Sequence, residues 1–420
     1  MIKLRLPLIL LFITAKLFGQ QAINDNRTYQ ANIKSVEFYN TAKEQSFPAI
    51  NLKSTDALLL AFDDLHGGTQ YYNYTIQHCD ADWNPSQLSP AEYLQSFTED
   101  RITDYRYSTN TRQKYTHYEL TLPNQNISPK LSGNYLLKVY LNGDVNQIVL
   151  TRRFYVVESK VSIGATIVPS NNNALRQSNQ KINFQVNYGG LLVQNPNTDI
   201  RALVLQNGRT DKSKLNTAPS NLRGSLLIYN DVNTNDFEGG NEFRHFDLRS
   251  LKLNSERIGR IYRDTANTVI LLGDPNRNQP AYSFQYDNDG KFYILNQDGS
   301  NPRIDADYAH IYFSLAGNKS DNDGAAYIVG QFNNYQLDQQ SRMLFDSAKG
   351  RFYTDLFLKQ GVYDYEYIWV DKNSKAPDEI AFEGSYYETE NDYQILVYFC
   401  RPGTRYQELV GYTQLNTTKR

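Results

Sequence analysis

Four groups of residues have side chains able to do chemistry. The run His78-Cys79-Asp80-Ala81-Asp82-Trp83 places an imidazole, a thiol and two carboxylates within six positions. Such groups ligate a divalent metal or activate a thiolate when they converge in space. On one strand they do not converge. Successive side chains alternate faces, so His78, Asp80 and Asp82 point one way and Cys79 the other. The run reads as a strand terminus followed by an Asp-Trp-Asn-Pro turn, with Trp83 packing as an anchor. Two Asp-Asn-Asp-Gly runs, at 287–290 and 321–324, suggest calcium loops by composition. No ligand Glu follows either at the required spacing, and hairpin turns account for both. A third group is the aromatic series from Gly330-Gln331-Phe332-Asn333-Asn334-Tyr335 to Trp369, whose rings could stack on a sugar. The fourth is the tyrosine excess itself: 33 Tyr against 20 Phe and 2 Trp. Tyrosine buries a ring while keeping a hydroxyl wet, so it serves sandwich faces and protein interfaces alike.

The chain contains no GxSxG, HExxH, Walker A or helix-opening GxGxxG motif. No catalytic residue, cofactor site or metal ligand is assigned. Trp83, Tyr335 and Trp369 are the candidate binding residues.

The elements that must position these residues are strands. Period-2 or short apolar runs recur along the chain, among them YNYTI (72–76), YLLKVYL (135–141), RFYVV (153–157), INFQV (182–186) and the run 363–370. Asn142-Gly143-Asp144 separates two such runs as a hairpin turn, and Asp289-Gly290 separates AYSFQY from KFYIL in the same way. One short helix is expected from Pro90 to about Phe97, with Ser89 as N-cap. The fold class is all-β: tandem immunoglobulin-like or early-set β-sandwiches, three by length. The expected division is 22–158, 159–300 and 308–415, with linkers read near 158 and at Asp298-Gly299-Ser300-Asn301-Pro302.

Residues 1–19 have the form of a cleavable secretory signal, with Lys3 and Arg5 ahead of an apolar core and Gly19 before Gln20. Its removal takes three of the 43 basic residues, leaving 40 against 45 acidic and a formal charge of −5. That excludes a broad basic surface for nucleic acid. Outside the leader no stretch reaches the ~18–20 apolar residues of a membrane helix, so direct membrane insertion is not expected. Cys79 and Cys400 lie far apart in sequence. A bridge requires the first and last domains to touch; buried free thiols are the simpler reading.

Two resemblances add to this. The series Gly330–Tyr335, Met343, Gly350–Tyr353 and Gly361–Tyr367 resembles early-set sandwich modules that include glycogen-binding domains. Tyr335 stands where those have Trp, and Glu366 where a sugar-contacting Lys is common. The second resemblance spans most of the chain. It runs through Tyr74–Trp83, Ser86–Ser89, Glu92-Tyr93-Leu94, Tyr115–Tyr118, Ser132–Tyr135, Thr151–Glu158 and Arg401–Tyr406. This order of motifs resembles the type IX secretion system plug proteins of Bacteroidota. The resemblance implies a periplasmic, non-enzymatic protein whose partner is the giant outer-membrane β-barrel translocon (the SprA type). It would seal the periplasmic opening of that barrel when no substrate is loaded. The alternative is a periplasmic carbohydrate-binding protein using the C-terminal module.

Overall fold

In the computed structural model the described residues are 24–419 apart from Asp264 and Asn318. The signal reading at 1–19, and residues 22–23 of the first expected domain, lie outside them. The described chain is all-β, with six sheets packed as three sandwiches. The first sandwich opposes a sheet containing Tyr72–Cys79, Gly133–Leu141 and Ile148–Val157 to one of Ile33–Asn40, Leu58–Asp64, Thr116–Leu122 and Asp104–Tyr107. Inward residues such as Leu60, Phe62, Tyr74, Leu137 and Phe154 form its core. The turn at Asn142-Gly143 forms, with both residues at positive φ (53° and 74°) and Asp144 N–H donating to Leu141 O, and it opens a longer connection that closes on Ile148. The expected helix is one turn, Pro90–Tyr93. Glu92 closes it by accepting from the Ser89 backbone N–H, and Leu94 is already extended.

The second and third sandwiches are not consecutive. Ile200–Gln206 pairs along its whole length with Asp392–Phe399, which pairs in turn with Glu408–Asn416. The last strands of the chain therefore complete the second sandwich, opposite the sheet of Ser162–Pro169 and Asn179–Asn187. Conversely, Arg244–Asp247 and Phe292–Ile294 flank Gly361–Asp371, and Asn267–Leu271 pairs with Tyr308–Ala316. The third sandwich is thus inserted into a loop of the second. This corrects the division at 300 and 308 and the assignment of 392–415 to the C-terminal module. The segment read as a linker is a turn inside the third sandwich, where the Asp298 carboxylate accepts from Leu251 N–H at 2.8 Å. The Asp289-Gly290 turn forms, but 281–286 pairs with nothing as a strand, so the second hairpin is also corrected.

The insertion leaves and re-enters at one place. Tyr386 N–H donates to Gly240 O at 2.9 Å. A Cβ on Gly239 would lie 2.0 Å from Tyr386 O, so only glycine lets the two chain segments pass. An inserted domain with adjacent ends carries its own core and folds by itself. Residues 241–387 expressed alone are expected to melt cooperatively, whereas 308–415 alone, lacking four of its strands and carrying two that belong elsewhere, is expected to be unfolded. Calorimetry of the two fragments tests this. A cooperative transition from 308–415 would overturn the assignment.

Candidate functional site

The His78–Trp83 run lies at the seam between the first and second sandwiches. Tyr72–Cys79 ends there, and the Asp80 side chain holds the turn by accepting from the N–H groups of Asp82 and Asn84 (2.9 and 2.8 Å). This turn puts Trp83 at φ +64° and buries it, 6% exposed, edge-on to Tyr155 and beneath the Arg153 guanidinium at 4.4 Å. Around it lie Leu136, Val157, Leu203, Leu205 and Leu396, an apolar seam drawn from both sandwiches. Trp83 is an internal anchor and presents nothing outward.

His78 faces the other way, against Gly133, whose φ of +147° and missing Cβ make room for the ring. Burial pushes its pKa down to about 4, so the imidazole is neutral. Burial pushes the Cys79 thiol up to about 12, which keeps it a thiol. Cys79 and Cys400 are both free. The first sandwich and the last strands do touch, contrary to the premise used against a bridge, yet the thiols are unpaired. Among the described residues no three His, Cys, Asp or Glu side chains converge as a metal site. Asp287, of the first Asp-Asn-Asp-Gly run, accepts from Asp289 N–H and Phe243 N–H. Burial and the nearby Asp364 push its pKa up to about 8.

The aromatic series of the third sandwich is internal as well. Tyr363, Tyr365, Tyr367 and Trp369 share the inward parity of Gly361–Asp371, and Trp369 meets Phe352 and Phe382 edge-on in the core. Tyr335 donates to Gly290 O and has the Arg209 guanidinium 4.0 Å over its ring. Arg209 is fastened to Glu366 (2.6 Å) and Glu379 (2.9 Å), tying the second sandwich to the third. Trp369 offers no face to a sugar, and the Tyr335 ring is taken by Arg209. The two rings proposed for carbohydrate binding are thus structural.

A cavity of about 430 Å³ opens where the three sandwiches meet, lined among others by Phe47, Arg152, Arg209, Lys291, Tyr335 and Asp392. Its cations are largely engaged. Arg209 holds carboxylates, Lys291 lies between Asp289 and Asp392 (3.3 and 3.7 Å), and Arg152 donates to the carbonyls of Arg27 and Thr151. The cavity is a joint between domains and lacks the convergent free groups of an anion site.

The first and third sandwiches meet around buried charge that the motifs did not indicate. Lys359 donates to Asp63 at 2.7 Å, the two being 1% and 0% exposed. Tyr308 donates to the same Asp63 oxygen at 2.7 Å, His117 meets the other at 2.6 Å, and Lys359 also donates to Arg303 O. Burial alone would raise the Asp63 carboxyl, but Lys359 and His117 hold it below its ordinary value. Beside this cluster, the loop before Thr116–Leu122 clasps the third sandwich. Asp307 accepts from the N–H groups of Arg112 and Gln113, and Tyr115 donates to Ala306 O. One signal was available in sequence: Asp63 and Asp64 end the otherwise apolar strand LLLAFDD, which is buried at all seven positions.

Removing one member of a buried pair leaves the other charge unpaired and costs about 3–5 kcal/mol. Lys359→Met is expected to destabilise the chain by that amount in denaturant melts; a loss under about 1 kcal/mol would refute the pair's role. Glu37 lies in the field of this cluster. Burial, then the neighbouring Glu44, push its pKa up from 4.5 to about 7, against His117, Lys359 and Arg303. The folded chain therefore keeps a proton that the unfolded chain releases near 4.5. The stability this proton contributes is complete below 4.5 and lost as pH rises through 7. Glu37→Gln, which cannot ionise, is expected to match the parent at pH 4 and exceed it by about 3 kcal/mol at pH 8. Parallel melting curves of the two proteins across pH would contradict this.

Comparison with known proteins places the first sandwich. A family model described as the type 9 secretion system plug protein 1st domain matches residues 33–158, the span holding Asp63, the His78–Trp83 run and His117. The crystal structure of a hypothetical protein from Parabacteroides merdae ATCC 43184 is 32% identical, with a TM-score of 0.90, covering 94% of this chain and 100% of that one. No functionally curated protein matches. With the plug-protein domain over its first sandwich, and a relative of the same architecture over nearly its whole length, the chain belongs to the type IX secretion system plug family.

Proposed function

We propose that the chain is a non-enzymatic periplasmic plug. In this reading it binds the periplasmic opening of the SprA-type outer-membrane β-barrel translocon and seals it while the translocon carries no substrate. The family match over residues 33–158 carries the reading. The packing supports it. Sealing a wide aqueous barrel requires bulk and a large complementary surface, with no reactive group. A folded chain of ~400 residues is on the order of 50 Å across. Its three sandwiches are joined at the apolar seam around Trp83, at Asp63–Lys359 and at Arg209. A block welded at three joints resists being threaded through a pore in a way that beads on flexible linkers would not. Among the described residues no helix is long and apolar enough to cross a membrane. Association with the envelope through a protein partner is consistent with this.

Deleting the gene while retaining the translocon is expected to make the outer membrane leaky to small hydrophilic molecules that are normally excluded. Uptake of such a solute, compared between parent, deletion strain and complemented strain, measures it. Unchanged permeability with the translocon present at its normal level would sink the reading.

A further inference from the structure

The tyrosines divide by face. Seventeen of the 33 are buried and seven are exposed. Three of those seven, Tyr262, Tyr312 and Tyr353, lie on one sheet of the third sandwich. Its strands run in the order Ile258–Arg263, Asn267–Leu271, Tyr308–Ala316, Arg351–Lys359 and Leu344–Asp346. Alternation sends Ala309, Ile311, Phe313 and Leu315 into the core and Tyr308, His310, Tyr312 and Ser314 to the other face. Register places Ile270 beside Tyr312, and Tyr353 between Ser314 and Leu344. Leu272, just past its strand, follows the same parity. Tyr262, Ile270, Leu272, Tyr312, Leu344 and Tyr353 are each 40–59% exposed. A sheet face that meets only water alternates to polar residues. This one carries aromatic and aliphatic side chains across all five strands. Its charges cancel, with Arg260 beside Ile270 and Asp355 beside Tyr312, the latter engaged by His310 at 2.9 Å.

The face continues an interface already present. Tyr308 and Lys359 are cross-strand partners on this same face, and the first sandwich buries both. Phe357 stacks on Tyr308 at 5.3 Å and leads from the covered part to the open part. The sheet surface thus begins under one docked protein domain and runs on uncovered. Five strands ~4.8 Å apart and three rows ~6.7 Å apart give a patch of roughly 400 Å². That is about half of the ~800 Å² per partner in a standard interface. Two copies could not hold each other stably by this patch alone. As the apolar centre of a wider polar contact it has the right size, and it leaves the contact releasable.

Resting on the plug reading above, we propose that this face seats the chain on the translocon. Its occupant is then an uncharged aromatic–aliphatic surface at the periplasmic rim of the barrel. The test is co-purification of the translocon from outer membranes with the tagged full-length chain. The double variant Ile270→Glu, Tyr353→Lys preserves net charge and alters only exposed positions. It is expected to reduce the co-purified translocon at least tenfold without shifting the melting temperature. The control Phe97→Ser, Tyr107→Ser, at exposed positions of the first sandwich, is expected to retain it. A photo-cross-linking residue at position 312, but not at 107, is expected to capture the barrel, and this readout stands even if the double variant misfolds. A parental chain that brings down no translocon overturns the plug reading and this choice of partner together. Parental binding with undiminished binding by the double variant, or cross-linking from 107 only, overturns the face alone. A parental dimer split by the double variant would make the occupant a second copy and also overturn the proposal.

Discussion

Lys359 and Asp63 can both remain charged away from water only while the first and third sandwiches are in contact. Most of the architecture follows from that condition. Moving either charge out of solvent costs several kcal/mol, and the pair recovers this only with its remaining hydrogen bonds satisfied. Those bonds come from Tyr308, His117 and the Arg303 carbonyl, so both domains must be docked in one register. Arg209 imposes the same condition between the second and third sandwiches through Glu366 and Glu379. The apolar seam around Trp83 is pinned between the first and second sandwiches where Tyr398 donates to Asn134 and Ala81 N–H to Gln407. The two ionic joints fix the third sandwich to that pair.

Much of the fold was legible in the sequence because sandwich strands announce themselves locally. The inward and outward parity of Tyr135–Leu141 or Ile182–Val186 is written in two-residue steps. So is the turn at Asn142-Gly143. Trp83 was readable as an anchor because an Asp-Trp-Asn-Pro turn ends its strand, although not what it anchors. Strand partnership is a long-range property and was not readable. Nothing within Asp392–Phe399 says that its neighbour is Ile200–Gln206 rather than a strand of the adjacent module. The Asp298–Pro302 turn has linker composition because tight turns and linkers use the same residues. Trp369 looked available because its motif is shared with sugar binders, but its parity along Gly361–Asp371 turns it inward. The Asp63–Lys359 joint shows in sequence only as charges at the ends of apolar strands, which ordinarily means solvent.

The choice of tyrosine over phenylalanine has its own cost and return. Leaving a buried phenol without an acceptor costs free energy, and several of these find carboxylates. Tyr365 and Tyr367 both donate to Asp274, and Tyr72 donates to Asp64. Those carboxylates in turn need cations or further donors, as Asp274 finds in Arg244 and Arg257. Polar networks of this kind fix side-chain positions more narrowly than an oily core of the same volume.

The nested topology also sets an order of events. A chain emerging N-terminus first presents its first sandwich complete, then seven of the nine strands of the second, then all of the third. The sheet containing Ile200–Gln206 keeps an open edge until Asp392–Phe399 arrives near the end of the polypeptide. An interrupted or clipped chain therefore displays an unpaired strand beside a finished domain, a surface open to aggregation and proteolysis. Only molecules that include Asp392–Phe399 close that edge, so the stability of the second sandwich depends on residues that follow the whole of the third.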